Sequence, residues 1–214
     1  MKEEIIIYYG GTFDPVHTGH ISIALQAKKY MEERFPAASV RVMLVPAPNP
    51  PHKTDKKISS FECRFSMLSL ALAGWDGLEA SRWEEGRSGK SFTCDSLLLL
   101  REKYPESRIF LLIGGDSLFQ FHTWKNPHII LRDFSISVFP RPGAEPEEGQ
   151  LPSFWNREEK KKLLSFVIPP AGKELFPVSS TFLRENFYTL APDVLEKNLP
   201  PKVEEFIRKH QLYT

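Results

Sequence analysis

Near the start of the chain stands Ile5-Ile6-Ile7-Tyr8-Tyr9-Gly10-Gly11-Thr12-Phe13-Asp14-Pro15-Val16-His17-Thr18-Gly19-His20. Its opening residues are apolar or aromatic, do not alternate with polar ones, and end at a glycine pair. That is the pattern of a strand buried on both faces. The paired glycines allow backbone amides to approach a ligand closely and permit positive φ. His17 and His20 lie three apart around an expected helix start, so their imidazoles share a face beside the unpaired N–H groups of the first turn. Donors together with the positive end of the helix dipole make an anion site. Ordinary capping or core histidines are the plain alternative. A zinc pair needs further ligands, and no second pair stands at metal-binding spacing.

The same signature returns at Ile109-Phe110-Leu111-Leu112-Ile113, closed by Gly114-Gly115, and predicts a second central strand. Between the two runs, Ile21, Ala24, Leu25, Met31 and Phe35 predict a helix over 18–35. A strand over 40–45 and a proline-rich loop over 46–57 follow. Phe61, Phe65, Leu68 and Leu72 recur at helical spacing, a short strand fits 78–83, and a leucine-rich helix fits 93–104. Beyond the second run, Phe134, Ile136 and Val138 alternate like a strand nearer the sheet edge. Residues 141–151, rich in Pro, Gly and Glu, read as a loop, and Val167-Ile168 as a last strand. Short helices are expected near 180–187, 192–198 and 201–210. Strands alternating with helices predict a Rossmann-like, doubly wound parallel α/β sheet with a small C-terminal helical subregion, in a single domain over 1–214. Ligands of such sheets bind beyond the carboxyl ends of the strands, where the strand order reverses, so the two glycine-closed loops are searched first.

Composition sets the outer bounds. The 214 residues, 41% hydrophobic and 26% charged, suffice for a buried core without staples. A net charge of +1 from 28 basic and 27 acidic groups gives no reason to expect a nucleic-acid or membrane partner. Cys63 and Cys94 stand far apart, which argues against a disulfide framework and for a reducing compartment. The apolar run at 5–9 is too short for a signal sequence, and no stretch approaches the ~18 apolar residues of a membrane span. A cytoplasmic protein is the expectation, and a homo-oligomer is left open.

A second phosphate-handling element comes late: Val178-Ser179-Ser180-Thr181-Phe182-Leu183-Arg184. Hydroxyls and unpaired amides at a helix start, with an arginine one turn on, suit a triphosphate. Taken alone, the motif reads as an N-cap with a solvated arginine. Other phosphate motifs fail. Gly89-Lys90-Ser91 ends like a P-loop, but Glu84 occupies the leading glycine position. No Gly-x-Gly-x-x-Gly follows a strand, so the dinucleotide fingerprint is missing.

The segment from Gly10 to His20 resembles the signature of the HxGH nucleotidylyltransferases. It is also similar to the nucleotide loop of class I aminoacyl-tRNA synthetases, which carry a Lys-Met-Ser-Lys-Ser-type loop and far more chain. Over nearly its whole length the chain resembles the bacterial nicotinate-nucleotide adenylyltransferases. The resemblance rests on the N-terminal motif, Asn49-Pro50-Pro51-His52-Lys53, Arg64 with Met67, and the region around Ser91-Phe92-Thr93. It continues through Ile113-Gly114-Gly115-Asp116-Ser117, Trp124, Arg141-Pro142-Gly143, the Ser-Ser-Thr-x-x-Arg segment and the tail 203–213.

This resemblance implies transfer of the adenylyl group of ATP to nicotinate mononucleotide, giving deamido-NAD and pyrophosphate in NAD biosynthesis. It implies His17, His20 and Arg184 as catalytic residues. Gly10, Gly11, Thr12, Phe13, Asp116, Ser180 and Thr181 would bind ATP, with Asp116 on the adenosine ribose. His52, Lys53, Thr93 and Trp124 would serve the acceptor, Thr93 and its neighbouring amides meeting the nicotinate carboxylate and Trp124 stacking on the pyridine ring. Phe92 stands where tyrosine is common in the family and lacks its hydroxyl. Mg²⁺ would ride on the ATP phosphates, without a protein cage, and Asp14 is expected to cap the turn rather than place a metal. Two physical points agree. Amides at a helix start favour a carboxylate, and an aromatic face suits a pyridinium. The competing readings are a different phosphate acceptor, such as nicotinamide mononucleotide or phosphopantetheine, a non-catalytic nucleotide-binding module, and a metal-binding protein.

Overall fold

The computed structural model describes residues 3–48, 58–86, 91–140, 145–169 and 179–214. The chain begins with β1 (Glu4–Gly11), α1 (Thr18–Arg34), β2 (Ser39–Pro46), α2 (Phe61–Leu72) and β3 (Leu78–Ala80). It continues with α3 (Thr93–Lys103), β4 (Arg108–Gly114), α4 (Gly115–Gln120), α5 (Pro127–Asp133) and β5 (Ser135–Phe139). Then follow α6 (Arg157–Leu163), α7 (Ser180–Asn186), α8 (Pro192–Asn198) and α9 (Pro201–Lys209). Short 3₁₀ turns stand at Phe121–Thr123 and Glu148–Gln150.

The two non-alternating apolar runs are adjacent strands. β1 and β4 pair in parallel from Ile5 opposite Arg108 to Tyr8 opposite Leu111. β4 and β5 pair in parallel from Phe110 opposite Ser135 to Gly114 opposite Phe139. Ile5, Ile6 and Ile7 are fully buried, as strands covered on both faces must be. The parallel five-stranded sheet runs β3-β2-β1-β4-β5, the order of a Rossmann-like α/β fold. The first three strands spread to one side and the chain then returns to place β4 on the far side of β1. The order therefore reverses beside β1, and the carboxyl ends of β1 and β4 flank the switch point.

Some local expectations change. The strand expected over 78–83 is shorter, Leu78–Ala80. Val167 forms only an isolated parallel bridge to Val138. Part of the segment read as a loop over 141–151 is the 3₁₀ turn Glu148–Gln150, closed by reciprocal bonds between Glu147 and Gln150. Helices α4, α5 and α6 were not expected. They have only six or seven residues each, too few for apolar periodicity to emerge. Local chemistry starts them instead: Pro127 at the first turn of α5 and an Asn156/Glu159 capping box on α6.

The chain divides into two compact units. The first comprises Met1–Gly10, Gln26–Met43 and Phe92–Leu175, and its core includes Phe110, Phe121, Ile136 and Trp155. The second comprises Gly11–Leu25, Leu44–Ser91 and Phe176–Thr214. There α2 buries Arg64, Met67, Leu68, Ala71 and Leu72 at helical spacing and packs against α9, which buries Val203 and Ile207. Among the described residues no helix is long and apolar enough to cross a membrane.

Candidate active site

The nucleotide loop leaves β1 at Gly11. The glycine pair does not take positive φ; the left-handed residue is Phe13, with φ 50°. Glycine serves for space instead. A Cβ on Gly11 would come within 2.8 Å of the Phe13 ring, and one on Gly10 within 3.1 Å of the Tyr8 ring. Phe13 is thereby tucked beneath the loop, almost fully buried. After the cis Asp14–Pro15 bond, α1 starts at Thr18, and the His17 carbonyl accepts the amides of His20 and Ile21 at 3.0 and 3.4 Å.

The two imidazoles lie together, centroids 3.8 Å apart and planes tilted by 40°. The His17 amide donates to Nδ1 of His20 at 3.3 Å. Nδ1 is therefore the acceptor, and a neutral His20 carries its proton on Nε2. The Phe13 ring meets His20 edge-on at 5.1 Å. His17 is 9% exposed, and burial lowers its pKa from 6.5 to about 4. It is a neutral imidazole at pH 7.

Helix α7 joins this loop from far along the chain. Ser179 caps it by accepting the Phe182 amide at 3.1 Å. Ser180 donates its hydroxyl to the Pro15 carbonyl at 2.9 Å. Arg184, 9% exposed, is not the solvated arginine of an ordinary cap. Nη1 donates to the Asp14 carbonyl, Nη2 donates to the Thr181 hydroxyl at 3.2 Å, and Nε stands 4.0 Å from Asp14 Oδ2. The histidine loop and α7 therefore meet at Asp14 and Pro15. Thr12 also belongs here, through its carbonyl, which accepts Arg64 Nη1 at 3.0 Å.

The fully buried Asp14 carboxylate accepts the Tyr213 hydroxyl at 2.8 Å and the Ser59 amide at 3.2 Å. Arg64, 1% exposed, also gives Nε to the Ser59 carbonyl and Nη2 to the Pro48 carbonyl, at 3.0 and 3.3 Å. Burial pulls the Arg64 pKa down, and the Asp14 carboxylate opposes that fall. Among the described residues no group of three or more His, Cys, Asp or Glu could hold a metal ion.

Of the acceptor-side candidates, Thr93 and Trp124 lie in the first unit. Thr93 opens α3, and Phe92, its N-cap, makes no side-chain capping bond. Lys125 ties this helix start to the Trp124 segment, with Nζ 2.8 Å from Asp95 Oδ2 and 4.8 Å from the centroid of the Phe92 ring. Trp124 packs edge-on against Phe121 at 5.3 Å, and Phe121 stacks on Trp155 at 5.7 Å. Asp116 sits exposed in the first turn of α4. His52 and Lys53 lie outside the described residues, as does Arg141-Pro142-Gly143.

Comparison with known proteins decides the family. Residues 8–186 match the cytidylyltransferase-like family. The chain is 30% identical over 213 residues to the probable nicotinate-nucleotide adenylyltransferase of Clostridium tetani, covering 100% of both chains. It is 34% identical to that of Moorella thermoacetica, covering 95% of this chain and 89% of the relative. The chain belongs to the nicotinate-nucleotide adenylyltransferase family. The fold agrees: the nicotinic acid mononucleotide adenylyltransferase of Plasmodium falciparum, in a structure complexed with NaAD, superposes with a TM-score of 0.75 at 18% identity, covering 99% of this chain and 97% of that one.

In this nicotinate-nucleotide adenylyltransferase family member, the histidines, Ser180, Thr181 and Arg184 belong to the second unit, whereas Gly10, Asp116, Thr93 and Trp124 belong to the first. Sequence reading missed the roles of Tyr213 and Ser59 around Asp14. Tyr213 lay within the matching tail, but a tyrosine beside a chain end carries no local mark of its contact 199 positions away.

Proposed function

We propose that the protein transfers the adenylyl group of ATP to nicotinate mononucleotide, forming deamido-NAD and pyrophosphate in NAD biosynthesis, and that residues 1–214 act as a single nucleotidylyltransferase domain. The convergence of His17, His20 and Arg184 on one loop is the observation that carries the reading. Full-length similarity to the adenylyltransferases supports it, as does the NaAD named for the Plasmodium protein.

The acceptor phosphate is already an anion near neutral pH, so its oxygen attacks the α-phosphorus of ATP without a general base. Catalysis then consists of in-line positioning and stabilisation of charge on the α-phosphoryl group and the departing pyrophosphate. The Nε2–H of His20 donates to the α or bridging oxygens, with His17 beside it. Arg184 takes the outer phosphates, helped by Ser180 and Thr181 at the start of α7. Gly10, Gly11, Thr12 and Phe13 shape the loop around the triphosphate, and Asp116 meets the adenosine ribose. On the acceptor side, amides at Thr93 hold the nicotinate carboxylate and Trp124 stacks on the ring; His52 and Lys53 are assigned to the acceptor by the family resemblance alone. Mg²⁺, where bound, would ride on the ATP phosphates and supply further charge neutralisation there. Asp14 does not suit it as a ligand, because Tyr213 and Ser59 already donate to its two oxygens.

The test is pyrophosphate release from ATP with nicotinate mononucleotide, nicotinamide mononucleotide or phosphopantetheine. Release should require an acceptor and be fastest with nicotinate mononucleotide. ATP binding with no turnover on any acceptor would overturn the catalytic reading. A higher kcat/KM for the amide would overturn the nicotinate assignment.

A further inference from the structure

We infer that Tyr213 is a positioning residue for the ATP half of the reaction, acting through Asp14 on Arg184. The inference rests on the role proposed for Arg184. A carboxylate with no solvent exposure must be satisfied by donors. Asp14 takes one from the Tyr213 phenol on Oδ1 and one from the Ser59 amide on Oδ2. Arg64 and Arg184 are the nearby cations; Arg64 is engaged by the Ser59 and Thr12 carbonyls, and Arg184 has its Nε held 4.0 Å from Oδ2. Its other nitrogens turn to neutral acceptors, the Asp14 carbonyl and the Thr181 hydroxyl. The guanidinium is thus oriented by Asp14 without closing a bidentate pair on it. A closed pair would cancel much of the charge that a triphosphate needs.

The phenol keeps Oδ1 occupied, the carboxylate oxygen other than the one Arg184 approaches. The tail is folded back to deliver it. Beyond α9 the Leu212 amide donates to the Ile207 carbonyl at 3.1 Å, and both Gln211 and Tyr213 take left-handed φ, 50° and 69°. Non-glycine residues hold that conformation at a free-energy cost, and it persists where surrounding contacts impose it. The phenol sits 3.9 Å from the Met67 sulfur, and burial with the neighbouring carboxylate raises its pKa, so it stays a donor. Ser59, Arg184 and Tyr213 line one cavity of about 500 Å³, into which an unbalanced Arg184 side chain has room to move.

The test is Tyr213→Phe, which deletes one oxygen and keeps the ring. Asp14 should then close on Arg184, raising KM for ATP ~3–10-fold and lowering kcat, with KM for nicotinate mononucleotide changed less than about twofold. In an Asp14→Asn background the same substitution should change KM for ATP by less than about twofold, because the charge that pulls Arg184 is gone. Unchanged KM for ATP and kcat, or equal rises in both KM values, would overturn the inference. If Asp14→Asn does not fold, calorimetric ATP titration of Tyr213→Phe against the wild-type chain decides, and equal affinities overturn it. A wild-type chain that binds ATP without releasing pyrophosphate refutes the proposed function instead, and the same titration still judges Tyr213.

Discussion

His20 illustrates how a backbone contact sets the chemistry of a side chain. Because the His17 amide donates to its Nδ1, Nε2 is the nitrogen of the imidazole that can carry a donor proton. A donor fixed before substrate arrives pays no reorganisation cost as charge develops on the phosphoryl oxygens. His20→Ala should therefore lower kcat by about 10²–10³, measured by pyrophosphate release with both substrates saturating. An unchanged turnover number would remove His20 from the chemical step.

At the scale of elements, two short pieces of structure carry proposed site residues, and neither is stable alone. Helix α7 has seven residues, below the length at which an isolated helix persists. It is anchored by the buried Leu183 and by the bond from Ser180 to Pro15. Trp124, proposed for the acceptor, closes the 3₁₀ turn Phe121–Thr123, and the adjacent Lys125 binds Asp95 in the first turn of α3. This exposed ion pair contributes little stability, about 0.2–1 kcal/mol, but it fixes the Trp124 segment relative to the amides of that turn. Trp124→Ala should raise KM for nicotinate mononucleotide more than KM for ATP in steady-state assays. Equal rises would assign the tryptophan to folding.

At the scale of the whole molecule, the buried His17 couples the site to stability. Its pKa falls from 6.5 to about 4 on folding, so between those values the unfolded chain binds more protons than the folded one. The stabilisation is fully present above pH 6.5 and is lost as pH falls toward about 4, to a limit of roughly 3 kcal/mol. Urea unfolding of the wild-type chain between pH 7 and pH 4.5 should show a steeper loss than His17→Gln over the same window. Parallel curves would show that His17 is not buried in the neutral form.

The two glycine-closed apolar runs were enough to foresee the buried strands and the α/β class, because burial on both faces dictates composition residue by residue along a strand. The helix starts at Thr18, Thr93 and Ser180 were legible for a similar reason: capping and periodicity are relations between near neighbours. Helices α4–α6 were not, although α7 and α8 are as short; the Pro127 start and the Asn156/Glu159 capping box were the local marks available for α5 and α6. Only the folded chain decided that Gly11 is needed to make room for Phe13, that Arg184 is buried, and that Asp14 meets Tyr213. Those contacts depend on which distant segments the sheet order brings side by side, and a hydrogen bond across 199 positions leaves no periodic trace in the residues around either partner.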